Sequence, residues 1–286
     1  MSSLVAPVVV AALAVAACAP EDDDEQTTAA TESPGGECAP ASLDTITAGT
    51  LTIATDEPVF EPWFVDDDPA NGEGFEGAIA NAVAEQMGYA QDDVEWVRVP
   101  FNAAIQPGPK TFDFDINEFS ITDERREAVD FSSPYYDVTQ AVIALDGSPA
   151  ASATSLADLA GVTLGAQVGT TSLSAIEDVV QPSAEPAVYN TNDDAKAALV
   201  NGQIDALVLD LPTAFFVTAA EIEGSTIVGQ LPPGSGEQEQ FGLVLDKDSP
   251  LTDCVSQAVD ALRDDGTLDS IELEWLADTA GAPVLE

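Results

Sequence analysis

Short strands and helices alternate along this chain, and this alternation constrains the fold more than any other feature of the sequence. Residues 51–55 are apolar and predict a strand, and residues 75–87 carry an apolar side chain at every fourth position, which predicts a helix that ends at Gly88. Residues 94–99 and 112–116 alternate in the manner of two further strands. Strands that are connected through helices are typical of a parallel sheet covered by helices, so we expect an α/β fold.

A second series of the same kind follows further along the chain. Strands are predicted at residues 162–166 and 204–209, and a helix is predicted at residues 192–200. The extended run 138–145 separates the two series. Because each series can form a sheet with its own core, the sequence predicts two lobes.

Acidic residues outnumber basic ones so strongly that some classes of partner are excluded. The chain has 52 Asp and Glu, seven Lys and Arg and no His, which gives a formal net charge of −45. Nucleic acid is not expected as a partner, because a phosphate backbone requires basic patches, and the charge also disfavours adsorption on anionic lipid. Salt screens the repulsion among surface carboxylates, which indicates a salt-tolerant exterior. Without His, no Ser–His or Cys–His catalytic pair can form.

The N-terminal residues have the features of an export signal. Residues 4–17 are uncharged, too short for a comfortable membrane span, and end at Cys18. Residues 15–18 (Val-Ala-Ala-Cys) resemble a lipobox, in which the cysteine thiol receives diacylglycerol, although no Lys or Arg precedes the apolar run. We expect a lipoprotein signal peptide at residues 1–17, a lipid on Cys18, and an extracytoplasmic protein anchored by that lipid at the cell surface or in the periplasm. A buried N-terminal strand is the alternative interpretation.

The residues after Cys18 are acidic and Thr-rich and have no hydrophobic period, which predicts a flexible tether at residues 18–40. If the lipid occupies Cys18, the remaining cysteines are Cys38 and Cys254. In an oxidising compartment such a pair predicts a disulfide, and two unrelated thiols are the alternative.

Arg125 is a candidate receptor for an anionic group. It lies between a Ser/Thr-rich turn and the aromatic run 130–137. A guanidinium group can bind a carboxylate with two parallel hydrogen bonds, which Lys cannot do. The alternative is an exposed arginine at the start of a helix, paired with Glu124 or Glu127, and we expect Arg126 to be such a surface residue.

Several stretches, taken in order, carry a family resemblance. They are residues 51–63, 74–84, 120–125, 130–135, 158–171, 202–210 and 265–267, together with Trp275. This ordered set resembles the extracytoplasmic amino-acid-binding proteins of ABC importers, the family-3 solute-binding proteins with the type II periplasmic fold. The resemblance implies two lobes, each a mostly parallel sheet flanked by helices, that are joined by two crossover strands around a ligand cleft. The first lobe would comprise residues 41–139 and 242–286, and the second would comprise residues 140–241.

The resemblance also implies which residues contact the ligand, a free amino acid. The matching positions are Arg125, Ser120, Thr170 and Thr171 for the α-carboxylate, Asp210 for the α-ammonium, Phe60 and Phe101 for the aliphatic part, and Asp56 and Glu118 for the side chain. These residue types suit the charges that they would meet, since an arginine and a helix N-terminus attract an anion and a carboxylate attracts a cation. Helix capping, turn formation and core packing remain alternative roles for the threonines, Asp210 and the phenylalanines.

A carboxylate in the cleft favours a polar or basic ligand such as arginine, lysine, ornithine or glutamine. The implied partner is an ABC permease, and we expect a monomer without a cofactor, a metal or catalytic residues. The acidic runs 22–24 and 66–68 lack the spacing of a calcium loop and are expected to be solvated. The competing hypothesis is a dehydratase-type enzyme on the same fold, in which a buried Glu118 would act as acid or base.

Overall fold

The computed structural model describes residues 36–234, 238–276 and 282–286. The predicted signal peptide, the lipid site at Cys18 and residues 19–35 of the predicted tether lie outside the described residues. Within the described part of the chain, no helix is long and apolar enough to cross a membrane. The same residues contain no cluster of His, Cys, Asp and Glu that could hold a metal ion.

The described residues form twelve strands and nine helices, apart from short 3-10 and π-helical segments. The strands are β1 (Leu51–Thr55), β2 (Val94–Arg98), β3 (Phe114–Asp115), β4 (Val129–Phe131), β5 (Tyr136–Val138), β6 (Gln140–Leu145), β7 (Leu164–Gln167), β8 (Ala187–Tyr189), β9 (Ala206–Asp210), β10 (Ser225–Gln230), β11 (Glu239–Phe241) and β12 (Val244–Asp246). The helices are α1 (Phe75–Gln86), α2 (Phe101–Ala104), α3 (Asp123–Arg126), α4 (Leu156–Leu159), α5 (Thr171–Ala175), α6 (Asn192–Val200), α7 (Leu211–Phe216), α8 (Thr252–Asp264) and α9 (Thr267–Trp275).

The first sheet has the strand order β2-β1-β3-β12-β4. Strand β1 pairs in parallel with β2 and β3, as the alternation of strands and helices predicts. One face of the sheet packs on α1 and α8 through a core that includes Ile53, Phe75 and Val259. The opposite face carries a smaller core that includes Phe101 and Phe119.

The second sheet has the strand order β10-β6-β9-β7-β8. Strand β7 pairs in parallel with β8 and β9, whereas β6 is antiparallel to both β9 and β10. Separate cores cover its two faces. Both sheets are therefore mixed, with more antiparallel pairing than the sequence predicts. In each sheet, the strand that comes directly after the connection from the other sheet runs antiparallel to its neighbours. This strand is β12 in the first sheet and β6 in the second.

Strands β5 and β11 pair with each other in an antiparallel two-stranded ribbon. The chain passes from the first sheet to the second through β5 and returns through β11, close to the predicted crossovers. The C-terminus differs from the sequence-based assignment, because the sequence placed residues 242–286 with the first sheet. Leu285 is buried in a core of the second sheet, and Val284 forms a β-bridge with Gln230. Gly229 leaves room for this contact, since a Cβ atom there would lie 2.7 Å from the Leu285 Cγ atom.

A disulfide joins Cys38 to Cys254 across a sequence separation of 216 residues, which confirms the predicted pairing. Cys254 lies on α8, which packs on α1 beside the first sheet. The disulfide therefore fixes the start of the described fold to the first sheet. A loop of this length implies a stabilisation of about 5 kcal/mol in the chain-entropy model.

Candidate functional site

A cavity of about 270 Å³ lies between the two sheets, where the carboxyl ends of strands from both sheets face each other. In open α/β sheets, loops and helix N-termini at this end of the strands form the usual ligand site. Eight of the nine predicted ligand contacts line the cavity: Asp56, Phe60, Phe101, Glu118, Arg125, Thr170, Thr171 and Asp210. The ninth, Ser120, is buried, and its hydroxyl lies 3.1 Å from that of Thr171.

Arg125 is positioned by helix α3, whose N-terminus is capped by the Thr122 side chain. The residue is only 8% exposed, and its guanidinium donates hydrogen bonds to Ser120 O at 2.7 Å and to Gly169 O at 2.9 Å. These carbonyls belong to opposite sides of the cavity. The guanidinium carbon lies 5.5 Å from the centroid of the Phe101 ring, within cation–π range.

No carboxylate of the described residues lies within ion-pair distance of Arg125. Burial lowers the pKa of Arg125, whereas the more distant Glu239, Asp210 and Glu124 act in the opposite direction. The alternative of an exposed arginine paired with Glu124 or Glu127 is therefore wrong. Arg126 is exposed, as predicted.

A network of neutral donors surrounds Ser120 and Thr171. Ser120 Oγ donates to Glu239 Oε1 at 2.6 Å, and Gln140 Nε2 donates to both oxygens of Glu239 at 3.1 and 3.2 Å. Gln140 Nε2 also donates to Asp210 Oδ1 at 2.6 Å. The sequence does not predict this network, because Gln140 and Glu239 lie 99 residues apart and meet only at the paired crossovers.

Thr170 is the N-cap of α5, where its hydroxyl accepts a hydrogen bond from Leu173 N and donates one to Gln167 O. Its side chain is thus committed to local structure. The Thr171 hydroxyl contacts Ser120 and receives a long hydrogen bond of 3.4 Å from Gln140 Nε2. Of the two threonines, Thr171 is the one whose hydroxyl joins the two sides of the cavity.

Two acidic side chains meet at the other end of the cavity. Asp210 is the last residue of β9 and precedes α7, and Glu118 follows β3 with a φ of 52°, in the left-handed region. Their carboxyl groups are hydrogen-bonded to each other. Thr213 Oγ1 donates to Glu118 Oε2 at 2.8 Å and accepts a hydrogen bond of 2.8 Å from the indole of Trp63.

Burial dominates the electrostatics of this acidic pair. It raises the pKa of Asp210 to about 8, with repulsion from Glu239 as the next cause. It raises the pKa of Glu118 well above its usual range, and the negative charges of Asp210 and Glu76 raise it further. Both residues keep some exposure to the cavity, but they lie deep in the molecule, where few water molecules can solvate a charge.

The predicted aromatic residues lie on the wall formed by the first sheet. Phe101 stacks on Phe119 with ring centroids 4.8 Å apart, which joins the cavity wall to the core behind it. The Phe60 ring faces Lys196 from the second-sheet side, with Nζ 4.6 Å from the ring centroid. Lys196 also pairs with Asp193 and Glu221.

Asp56 follows β1, and its side chain has a local structural task. Oδ1 accepts a hydrogen bond from Glu57 N at 2.7 Å, and Oδ2 accepts one from Phe101 N at 3.2 Å. The second bond satisfies the first N–H of α2 and so positions the Phe101 ring. Burial raises the pKa of Asp56 against these hydrogen bonds, which lower it.

Two buried acidic residues near the cavity were missed by the sequence analysis. Glu76 is fully buried at the start of α1, where it accepts hydrogen bonds from Glu118 N at 2.6 Å and from the Tyr135 hydroxyl. Burial raises the pKa of Glu76 to about 7. Asp115 on β3 is fully buried, and neither carboxyl oxygen has a hydrogen-bond partner among the described residues. The sequence contains no signal for the burial of Asp115, because it alternates with Phe114 and Ile116 as an outward-facing residue would.

The charge of the cavity wall is strongly one-sided. Carboxyl groups come from Asp56, Glu57, Glu118, Asp193 and Asp210. Among the described residues that line the cavity, Arg125 carries the one positive charge. The wall can therefore receive one anionic group at Arg125 and favours positive charge elsewhere.

Comparison with known proteins gives a consistent result. The family model described as bacterial extracellular solute-binding proteins, family 3, matches residues 51–278. An L-arginine-binding protein of Pseudomonas aeruginosa is 31% identical over 241 residues, which cover 79% of this chain and 90% of that relative.

Two solved structures of amino-acid-binding proteins have folds similar to that of this chain. An ancestral arginine-binding protein bound to glutamine has a TM-score of 0.66 and 32% identity, with coverage of 80% of this chain and 99% of that chain. An ancestral amino acid-binding protein described as a precursor of cyclohexadienyl dehydratase has a TM-score of 0.64 and 28% identity, with coverage of 79% and 94%.

Proposed function

This chain belongs to the bacterial extracellular solute-binding proteins of family 3, and on that premise we propose that it captures a free basic amino acid in the cavity and delivers it to an ABC permease. It is an amino-acid-binding protein of an ABC importer and not an enzyme. The identity of the amino acid, the delivery step and the roles of the individual residues belong to the proposal.

One observation carries this proposal: Arg125 is a buried guanidinium with no carboxylate partner among the described residues, in a cavity wall that is otherwise acidic. A buried cation without a counter-charge is costly, and a ligand carboxylate would supply that charge with two parallel hydrogen bonds. The Ser120 and Thr171 hydroxyls are placed to assist. The α-carboxylate of the amino acid therefore binds at this end.

The acidic remainder of the wall favours a ligand with more than one positive group. Asp210 and Glu118 bind the α-ammonium, and the carboxylates of Asp56, Glu57 and Asp193 attract a cationic or amide-bearing side chain. The ring of Phe60 faces a lysine ammonium in this structure, which supports its ability to receive a cationic or aliphatic ligand chain. Arginine, lysine and ornithine are the preferred candidates, with glutamine as the uncharged one. The names of the arginine-binding relatives support this choice.

Capture involves closure of two lobes around the ligand. Arg125 bonds a carbonyl on each side of the cavity, and the Trp63 indole bonds Thr213 across it. Such contacts are made only when the two sides are close together, and the paired crossovers β5 and β11 provide the hinge. The proposed lobes are residues 41–139 with 242–276, and residues 140–241, and the C-terminal residues 282–286 pack on the second of these. The closed form is the one that the permease recognises.

We further infer that the protein acts as an extracytoplasmic monomer, held at the membrane by a lipid on Cys18. The support for the lipid is the lipobox-like tetrad at residues 15–18. Metabolic labelling of the expressed protein with a fatty-acid analogue tests it. A Cys18→Ser variant should lose both the label and the membrane association.

Isothermal titration calorimetry with L-arginine, L-lysine, L-ornithine, L-glutamine and L-glutamate, at low and high salt, tests the binding function. We expect the basic amino acids to bind and glutamate to bind at least tenfold more weakly, because its second carboxylate would meet the acidic wall. If none of the five amino acids produces heat or raises the melting temperature, the proposal is wrong. Incubation with prephenate-type substrates should give no product, and turnover would restore the dehydratase hypothesis.

A further inference from the structure

Glu118 and Asp210 reach the cavity from opposite sides and are hydrogen-bonded to each other through their carboxyl groups. Glu118 follows β3 of the first sheet, and Asp210 ends β9 of the second. Two ionised carboxylates have only acceptor atoms, so a hydrogen bond between them requires one proton. The pair therefore holds a proton between the two sides of the cavity.

Each carboxyl group also has one oxygen held by a neutral donor. Thr213 Oγ1 on α7 donates to Glu118 Oε2, and Gln140 Nε2 on β6 donates to Asp210 Oδ1. These donors orient the carboxyl groups without supplying charge. The pair is pre-positioned for a cation, and a proton occupies the position between the two groups.

The charged and titratable groups around the pair come from several elements. Glu76 on α1 and Glu239 on β11 are acidic, Tyr135 lies just before β5, and Arg125 on α3 is a cation. On the other side, a small adjoining cavity is lined by Glu118 together with the cationic Lys196 and the acidic Glu61 and Glu221. Repulsion among the acids and the scarcity of water both favour retention of the shared proton at neutral pH. Consistent with this, the pKa of Asp210 is raised to about 8 and that of Glu118 is raised well above its usual range, mainly by burial. The two groups titrate as a unit.

We propose that Glu118 and Asp210 form a proton–cation exchange site, at which a cationic nitrogen group of the ligand displaces the proton that the two carboxyls share. This inference rests on the proposed function, because it assigns the ligand's ammonium or guanidinium group to that site. The O–H···O bond between the carboxyls breaks, N–H···O bonds from the ligand replace it, and the proton passes to bulk water.

Exchange keeps the charge of the pair constant. With one proton the pair carries a charge of −1, and with two ionised carboxylates and one bound cation the local charge is again −1. Insertion of a cation without loss of the proton would leave a carboxyl O–H directed at a positive group, which is unfavourable. Since protons compete with the ligand, affinity rises with pH, by about tenfold per pH unit for each proton that the pair holds, and levels off only above the raised pKa of Glu118.

Calorimetry of the full chain with L-arginine, in phosphate and in Tris buffer of equal pH and ionic strength, measures the number of protons released on binding. We expect at least one proton at pH 6.5 and a smaller number at pH 8. The apparent Kd should fall at least about tenfold between pH 6 and pH 7. L-Lysine serves as the second probe under the same conditions.

The decisive variant is Glu118→Gln, because an amide can donate to Asp210 without a titrating proton. This variant should still bind L-arginine, with proton release close to zero and an affinity that changes less than twofold between pH 6 and pH 7. Glu95→Gln, which makes the same chemical change on the exposed edge strand β2, should retain the behaviour of the unmodified protein. Glu76→Gln should also retain proton release.

The outcomes separate the two proposals. L-Arginine binding without proton release by the unmodified protein overturns the exchange site and leaves the proposed function standing. Proton release that survives in Glu118→Gln and disappears in Glu76→Gln also overturns it, because the proton then belongs to Glu76. If none of the four candidate amino acids binds to any form of the protein, the proposed function itself fails.

Infrared difference spectroscopy of the unmodified protein provides a readout if Glu118→Gln does not fold. Addition of L-arginine at pH 6.5 should remove a carbonyl band of a protonated carboxyl group. An unchanged band in a protein that binds L-arginine overturns the proposal.

Discussion

The two ends of the cavity are built on different principles. At the anion end, formed by Arg125, Ser120 and Thr171, one permanent charge is surrounded by neutral hydroxyls and carbonyl groups. At the cation end, formed by Glu118 and Asp210, two carboxyl groups share a titrating proton. In a chain with 52 acidic and seven basic residues, positive charge is scarce. Among the described residues that line the cavity, Arg125 is the one basic side chain. The comparison shows that similar burial yields a fixed charge at one end and a pH-dependent charge at the other.

The largest effect is expected at the anion end. Arg125→Ala should weaken binding of the preferred amino acid by about 3–5 kcal/mol, which is a factor of roughly 10² to 10⁴ in Kd, because the ligand carboxylate would be buried without a counter-charge. Arg126→Ala is the matched control, since that neighbouring arginine is exposed. Calorimetry checks both variants. A Kd for Arg125→Ala within threefold of the unmodified protein would contradict the assignment of the carboxylate site.

A smaller loss is expected at the cation end. Asp210→Asn should weaken binding by about 1.5–3 kcal/mol, the usual contribution of a hydrogen bond to a charged group. Glu118 remains as a second acidic partner, which limits the loss. Asp253→Asn, an exposed position on α8, is the control and should bind normally. If Asp210→Asn had a larger effect than Arg125→Ala, the cation end would dominate recognition.

Asp210 at the cation end and the buried Glu76 behind it should also govern the pH dependence of stability. In the unfolded chain Glu76 and Asp210 lose their protons near the ordinary pKa of each side chain, 4.5 for Glu and 3.8 for Asp, whereas in the folded protein burial raises these pKa values to about 7 and about 8. Between these limits the native state binds more protons, so the free energy of unfolding should fall as pH rises from 5 to 8, by an amount on the order of 6 kcal/mol. Most surface carboxylates are already ionised in this window and contribute little.

Urea unfolding at pH 5 and pH 8, in high salt and without amino acid, measures this difference. Asp210→Asn should reduce it, because that variant lacks one of the titrating groups. Arg125→Ala should leave it largely unchanged, because a guanidinium stays charged throughout this range. Equal reduction by both variants would show that the two ends do not differ in the way described.

The smallest effect is expected from the hydroxyl at the anion end. Thr171→Val keeps the shape of the side chain and removes a neutral hydrogen bond, so binding should weaken by about 1 kcal/mol, or roughly fivefold. Thr226→Val on strand β10, away from the cavity, should leave the affinity unchanged. A loss comparable with that of Arg125→Ala would mean that the hydroxyl carries more of the carboxylate recognition than the charge does.

The sequence predicted the order of strands and helices well, because those patterns are local. It also selected Arg125 and Asp210, because one follows a Ser/Thr-rich turn, the other ends a predicted strand, and both match the family resemblance. It did not predict that Glu118 would hydrogen-bond Asp210, because that contact depends on the distance between two sheets. The crossover contact of Gln140 with Glu239 is equally non-local. Such contacts depend on how the two sheets and their crossovers pack together, which a local sequence pattern does not specify.

Buried acids are the second kind of feature that pattern analysis misses. Glu76 lies in the first turn of α1, where an acidic residue is ordinarily exposed and interacts with the helix dipole. Its burial follows from tertiary contacts with Tyr135 and the backbone of Glu118. Asp115 has no hydrogen-bond partner among the described residues that would explain its place in a central strand. A hydrophobicity pattern assigns both residues to the surface, since it does not include the possibility of a neutral carboxyl group.

The disulfide between Cys38 and Cys254 has a mechanical consequence for a protein that is pulled from its N-terminal side. Tension applied before Cys38 passes through the sulfur atoms into helix α8 and does not reach the β5–β11 ribbon. The second sheet and helices α4–α7 lie outside this load path. A force applied through the predicted N-terminal tether would therefore reorient the molecule as a whole without separating the two sides of the cavity.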